Sequence, residues 1–291
     1  MRFLSGAVAV AVATFVVAGT AHADGGPAPG FLDGGRGVET ADGARRYVTL
    51  TSGGRTVVAE LRSGGVVRHA TIHGTWGVPM VAFDGTTAGL IRHGRMLVLA
   101  GTIGVPRSTF ALVGTHRLRL RETIALRGAF SFDAASPDGR TLFLIQHLGL
   151  AADRYRVRAY DVAQRRLVRR VVSDPREKTA TMHGYPVTRA TSSDGRWVYT
   201  LYHAQGDRHT FVHALDTVRR DARCIDLPAA SSDSVWAFGL DLRGDELAVV
   251  DEYGDLHARI DTRTFEAHAA DGGLFAHDAI HLAAGLLQHP Q

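Results

Sequence analysis

Between residues 45 and 270 the chain alternates short apolar runs with tight polar turns. Met96-Leu97-Val98-Leu99, Thr141-Leu142-Phe143-Leu144-Ile145, Trp197-Val198-Tyr199-Thr200-Leu201 and Glu246-Leu247-Ala248-Val249-Val250 are the clearest runs. They are too short for helices and rich in β-branched and aromatic residues, which predicts strands. No stretch carries an apolar stripe of helical period, so helix is predicted to be scarce.

A turn phrase precedes each run. It reads Ser136-Pro137-Asp138-Gly139-Arg140, returns as Ser192-Ser193-Asp194-Gly195-Arg196, and persists more weakly at Arg92-His93-Gly94-Arg95 and Leu242-Arg243-Gly244-Asp245. Proline presets φ, aspartate accepts local backbone hydrogen bonds, and glycine takes the position with φ > 0, so each phrase predicts a hairpin. Other features recur in phase. A further strand ends in aspartate at Val157-Arg158-Ala159-Tyr160-Asp161, Phe211-Val212-His213-Ala214-Leu215-Asp216 and His257-Ala258-Arg259-Ile260-Asp261. Each unit therefore reads as four strands, a to d; in the clearest one they fall at 129–135, 141–147, 155–161 and 167–172.

The turn glycines 94, 139, 195 and 244 recur every ~45–55 residues, close to the length of a propeller blade. The widest interval contains an insertion at 173–186. The pattern predicts an all-β fold: a single β-propeller of four-stranded antiparallel blades. The blades are expected at 45–73, 80–127, 128–173, 187–227 and 235–270, making five, or six if the poorly patterned stretch 73–86 hides part of another. The first unit lacks an a strand, since Tyr47-Val48-Thr49-Leu50 resembles b. A C-terminal strand around Leu274-Phe275-Ala276-His277 is expected to complete it and close the ring, because an open ring leaves unpaired edges.

Composition adds the flanks. Residues 1–23 carry Arg2, an apolar core over 7–17 and Ala21-His22-Ala23, the marks of an export signal cleaved before Asp24. The core is shorter than the ~20 residues of a membrane span, which argues against a retained anchor. Residues 24–44, rich in Gly, Pro and Ala, read as a flexible leader; the propeller is expected over 45–283, with a tail at 284–291. The protein is thus expected outside the cell or at its envelope. Cys224, the single cysteine, permits no internal disulfide and reads as a buried thiol.

The Ser-Pro-Asp-Gly-Arg turn followed by an apolar strand resembles the bacterial YVTN/WD40-like β-propellers, which include TolB-like periplasmic repeat proteins. The Ala-, Gly- and Arg-heavy composition, with Gly184-Tyr185-Pro186-Val187-Thr188-Arg189, is similar to exported proteins of high-GC actinobacteria. The resemblance implies the fold and leaves function open, since propellers host many activities.

Propeller topology gathers the d–a and b–c loops on one face. That selects Arg176, His183, Tyr185 and Arg189 from the long insertion and its strand, with His147, Tyr202, His203 and Glu252 from neighbouring b–c junctions. They predict a basic, aromatic mouth for a protein, peptide, glycan or small anionic ligand. Trp76 and Trp236 lie on other d–a connections.

No catalytic residue is assigned and no cofactor is implied. A nucleophile elbow and the common metal-site spacings are absent, and His209 and His213, four apart on a strand, lie ~13 Å apart. The alternative from another class is a secreted hydrolase of the five-bladed glycosidase type, using Asp84, Asp133 and Asp241 near the a strands. Nucleic acid is not expected as a partner: the formal net charge is only +4, and the arginines at 117, 119 and 121 share one solvated strand face. After signal removal no stretch is long enough to span a bilayer, and the protein is expected to be a monomer.

Overall fold

The computed structural model describes residues 31–32, 36–101, 107–148, 154–204, 209–228 and 233–270. They form five four-stranded antiparallel sheets with strands in chain order, the blades of a β-propeller. Blade 1 comprises Val38–Glu39, Arg46–Ser52, Arg55–Arg62 and Gly65–His73. Blade 2 comprises Leu90–Ile91, Met96–Ala100, Arg107–Gly114 and Arg119–Arg127. Blade 3 is Phe130–Ala135, Thr141–His147, Arg154–Asp161 and Arg166–Val172, with Met182–His183 extending its edge. Blade 4 is Tyr185–Thr191, Trp197–Ala204, His209–Asp216 and Asp221–Asp226, and blade 5 is Gly239–Arg243, Glu246–Val250, Leu256–Asp261 and Ala267–Ala269.

The repeated turn has one geometry. Ser136 Oγ donates to Asp138 Oδ1 at 2.6 Å, and Asp138 Oδ1 accepts the Arg140 N–H at 3.0 Å. The Thr141 N–H returns to Ser136 Oγ at 3.0 Å, and Gly139 sits at φ +64°. Ser192, Asp194, Arg196 and Trp197 repeat every one of these bonds around Gly195 at φ +71°. Serine and aspartate thus fold back on the chain and deliver the next strand in fixed register.

A third copy of this turn corrects the sequence reading. Thr40 donates to Asp42, Asp42 accepts the Ala44 N–H, the Arg45 N–H returns to Thr40 Oγ1, and Gly43 sits at φ +66°. Thr40-Ala41-Asp42-Gly43 follows Val38–Glu39, which pairs with Arg46 and Tyr47 as the inner strand of blade 1. Strand and turn therefore lie inside the expected leader. The inner position of blade 1 is filled by the segment just before it, and the strand expected at 274–277 lies outside the described residues. Two residues of strand are too few to leave a periodic signal.

Alternation distributes the core. In blade 2, Leu97, Leu99, Ala111 and Val113 pack toward blade 1, with Tyr47, Val58, Ile72 and Trp76. Val98, Ala100, Phe110 and Leu112 point the other way, onto Phe130, Phe132, Leu142 and Leu144 of blade 3. Phe143, Tyr155 and Val157 then meet Val198, Tyr202 and Phe211 of blade 4. Tyr199, Leu201 and Val212 meet Leu247, Val249 and Ile260 of blade 5. Successive side chains of one strand serve opposite seams, which explains the unbroken apolar runs.

Stretch 73–86 builds no sixth blade. After a bridge between Gly77 and Ala100, it forms a hairpin in which Val81 N–H donates to Thr86 O at 2.9 Å. Phe31–Leu32 pairs with the base of this hairpin, at Val78–Pro79. At its tip, Phe83 N–H donates to Pro186 O at 2.9 Å and Asp84 N–H to Val187 O at 3.1 Å. Those carbonyls belong to the inner strand of blade 4, which lies opposite the blade 1–blade 2 seam in a five-membered ring. The hairpin therefore spans the channel, and its buried Val81 and Ala82 plug it.

Candidate functional site: a plugged channel with an aromatic end

Beneath the hairpin, between blades 3 and 4, lies a buried polar cluster. Arg189 and Asp133 form an ion pair in which each side chain is only 5% exposed. Arg189 also donates to the Asp133 carbonyl at 2.5 Å and to Thr200 Oγ1 at 3.0 Å. Ser131 Oγ lies 3.0 Å from His147 Nε2, and the Tyr155 and Tyr202 rings stack at 5.4 Å. Burial pushes the Tyr202 phenol well above its usual range. His213 Nε2 is buried and no described residue bonds it; burial, above all, pulls that imidazole down to about 4.

The cavity here, lined by Ser131, Asp133, His147, Tyr155 and Tyr202 among others, holds about 20 Å³. That is room for about one water molecule and for no organic ligand. The polar cluster therefore joins two blades and leaves no room for an organic ligand between them.

At that outer end, three aromatic rings converge from three separate segments. Phe83 comes from the hairpin tip, Tyr185 from the start of blade 4, and Trp236 from the 3-10 turn Asp233–Ala237 between blades 4 and 5. Their centroids are 6.0 Å (Phe83–Tyr185), 5.8 Å (Phe83–Trp236) and 6.3 Å (Tyr185–Trp236) apart, with planes at 72°, 87° and 47°. Phe83 and Trp236 are each 40% exposed. His203 backs Trp236 with ring centroids 5.7 Å apart, and its Nδ1 lies 3.2 Å from Thr210 Oγ1. The carboxylate of Asp84, exposed beside Phe83, caps the Thr86 N–H at 2.8 Å.

The structure divides the residues selected from sequence. It brings Tyr185 and His203 to the aromatic end. Arg189, His147 and Tyr202 belong to the buried layer below. Arg176 sits at the outer edge of blade 4, donating to Asp174 at 2.6 Å and to the Cys224 carbonyl at 3.0 Å. Burial alone would raise Asp174, but hydrogen bonds from Arg176 and the Arg176 and Cys224 amides hold it at about 2. His183 is exposed on the edge strand of blade 3, and Glu252 is exposed at a blade 5 turn. Two arginines of the expected basic mouth are thus neutralised by carboxylates. Phe83 escaped the sequence reading because its hairpin carries no repeat signal; Trp236 was visible only as a tryptophan on a d–a connection.

The carboxylates considered for hydrolysis are engaged separately: Asp133 with Arg189, Asp241 with Arg243 at 2.6 Å, and Asp84 with its own turn. Among the described residues no cluster of three His, Cys, Asp or Glu side chains could hold a metal ion, and no helix is long and apolar enough to cross a membrane. Burial raises the Cys224 thiol to about 12, which keeps it protonated and inert.

No family profile and no curated protein matches the sequence. Among solved structures, the chain is similar to Kuenenia stuttgartiensis hydrazine synthase at 14% identity and TM-score 0.43, covering 84% of this chain and 69% of that one. The Dos1 propeller is similar at 12% identity and TM-score 0.47, covering 80% and 58%. Citrobacter koseri AztD is similar at 12% identity and TM-score 0.38, covering 77% and 58%. The chain thus spans little more than half the length of the last two. The propeller assignment rests on the strand order described above.

Proposed function

We propose that the protein is a binding module, exported to the cell envelope or beyond, whose ligand meets the aromatic end of the plugged channel. One observation carries the reading: Phe83, Tyr185 and Trp236 come from distant parts of the chain to form a cluster that stays partly exposed. Burying such rings would stabilise the fold, so leaving them in water has a cost that ligand contact recovers. The signal-like residues 1–23 support export, and the Ser-x-Asp-Gly-Arg turns support kinship with the YVTN/TolB-like propellers.

A thermal-shift screen with glycans, peptides, quaternary amines and small anions tests the reading. A true ligand raises the melting temperature of the wild type and of Tyr253→Ala, a substitution at an exposed blade 5 turn. The shift disappears in Phe83→Ala and Trp236→Ala. Ligands whose shifts survive both corner substitutions would place binding elsewhere.

A further inference from the structure

The three rings define a corner, which restricts what fits it. Their planes meet steeply, and the nearly equal centroid separations of 5.8, 6.0 and 6.3 Å mean that one compact group over the triangle can lie within ~6 Å of all three centroids. A flat sugar ring wants one open aromatic face, and steep neighbours obstruct it. A compact, roughly spherical group fits better. Charge selects further. Ring faces are electron-rich and attract cations. Asp84, exposed and adjacent to Phe83 in the chain, adds a carboxylate at the same hairpin tip. Among the described residues, the side-chain cation seated over an aromatic ring is Arg196 over Trp197, 5.5 Å from its centroid on another part of blade 4. No described side-chain cation therefore sits over the rings of the corner.

We infer that the Phe83–Tyr185–Trp236 corner binds a methylated ammonium group, such as the trimethylammonium head of a choline-like ligand. This rests on the binding-module reading and adds the ligand class. Methylation matters because it spreads the charge over an apolar surface and weakens hydration, so that transfer onto aromatic faces is favourable.

The test compares choline with 3,3-dimethylbutan-1-ol, its neutral carbon isostere, on the full-length protein. Saturation-transfer NMR of the ligand methyl signal reads binding without relying on the substituted tryptophan, and sodium chloride holds ionic strength constant. Choline is expected to bind saturably and the neutral alcohol ~3–30-fold more weakly. Phe83→Ala, Tyr185→Ala and Trp236→Ala should each weaken choline by a similar factor, while Tyr185→Phe, which keeps the ring, should not. Far-UV circular dichroism confirms that each variant folds. Equal binding of choline and its isostere would overturn the charge argument and leave an apolar binding corner, so the binding-module reading would survive. Absence of saturable choline binding, or binding that persists in all three alanine variants, would overturn the assignment of this ligand class; the thermal-shift screen then decides separately whether the corner binds anything else.

Discussion

Blades 1 and 4 are built from the same turn and the same strand order, yet they bury their strands differently. The second strand of blade 4, Trp197–Ala204, is buried at every position after its first. Its counterpart in blade 1, Arg46–Ser52, alternates: Tyr47 and Thr49 are buried, Val48 is half-buried and Leu50 is 63% exposed. Blade 4 packs against a blade on each face. Blade 1 buries one face against blade 2, and the other, with Leu50 opposite Val57, stays partly in solvent. A shared repeat thus sets the strands, while position in the ring sets how much of each strand becomes core.

The sharpest way to break this contrast is at the joint between blades 3 and 4. Arg189→Ala leaves Asp133 buried without its partner and should cost about 3–5 kcal/mol in urea unfolding, with Asp133→Leu/Arg189→Leu recovering much of the loss. A cost below about 1 kcal/mol would mean that water reaches the pair. Phe143→Ala, in the same seam, should cost about 3–5 kcal/mol through lost contact and a cavity.

His213 adds a pH dependence to that seam. Burial is the main cause of its lowered folded pKa; Arg189 lowers it too, while Asp133 and Asp174 act in the opposite sense. The folded protein resists protonation of this ring down to about 4, whereas the unfolded chain takes the proton near the ordinary histidine value. Stability therefore falls as pH drops from about 6.5 towards 4, by up to about 3 kcal/mol, and is unaffected by this group above that window. His213→Phe should flatten the melting temperature across the same range; an unchanged slope would assign the effect to other groups.

The smaller effects belong to blade 1. Gly43→Ala places a Cβ at φ +66° with nothing crowding it, and should cost about 1–2 kcal/mol in equilibrium unfolding through backbone strain alone. Leu50→Ser, on the open face, should change stability by no more than about 0.5 kcal/mol. A loss near that of Phe143→Ala would mean that something covers this face in solution.

Local chemistry made much of the architecture legible. The turn at Ser136 and the strand Thr141–His147 fall where the turn phrase and the apolar run place them, because their bonds are made within a few residues. The same logic extends to blade 1's inner strand, because Thr40-Ala41-Asp42-Gly43 is the same phrase with threonine for serine. The candidate site was less legible. Loop topology selects Tyr185 and His203, but it selects Arg189 and Arg176 equally, because it does not show that carboxylates occupy both guanidinium groups.

The sequence by itself determined the hairpin and its repetition and narrowed the blades to five or six, since turn bonds and strand alternation depend on near neighbours. Only the tertiary structure decided that 78–87 crosses the ring, that Arg189 faces Asp133, and that Phe83, Tyr185 and Trp236 meet. Those contacts join residues far apart in the chain, and their existence depends on how the blades are arranged about the common axis, which no local pattern encodes.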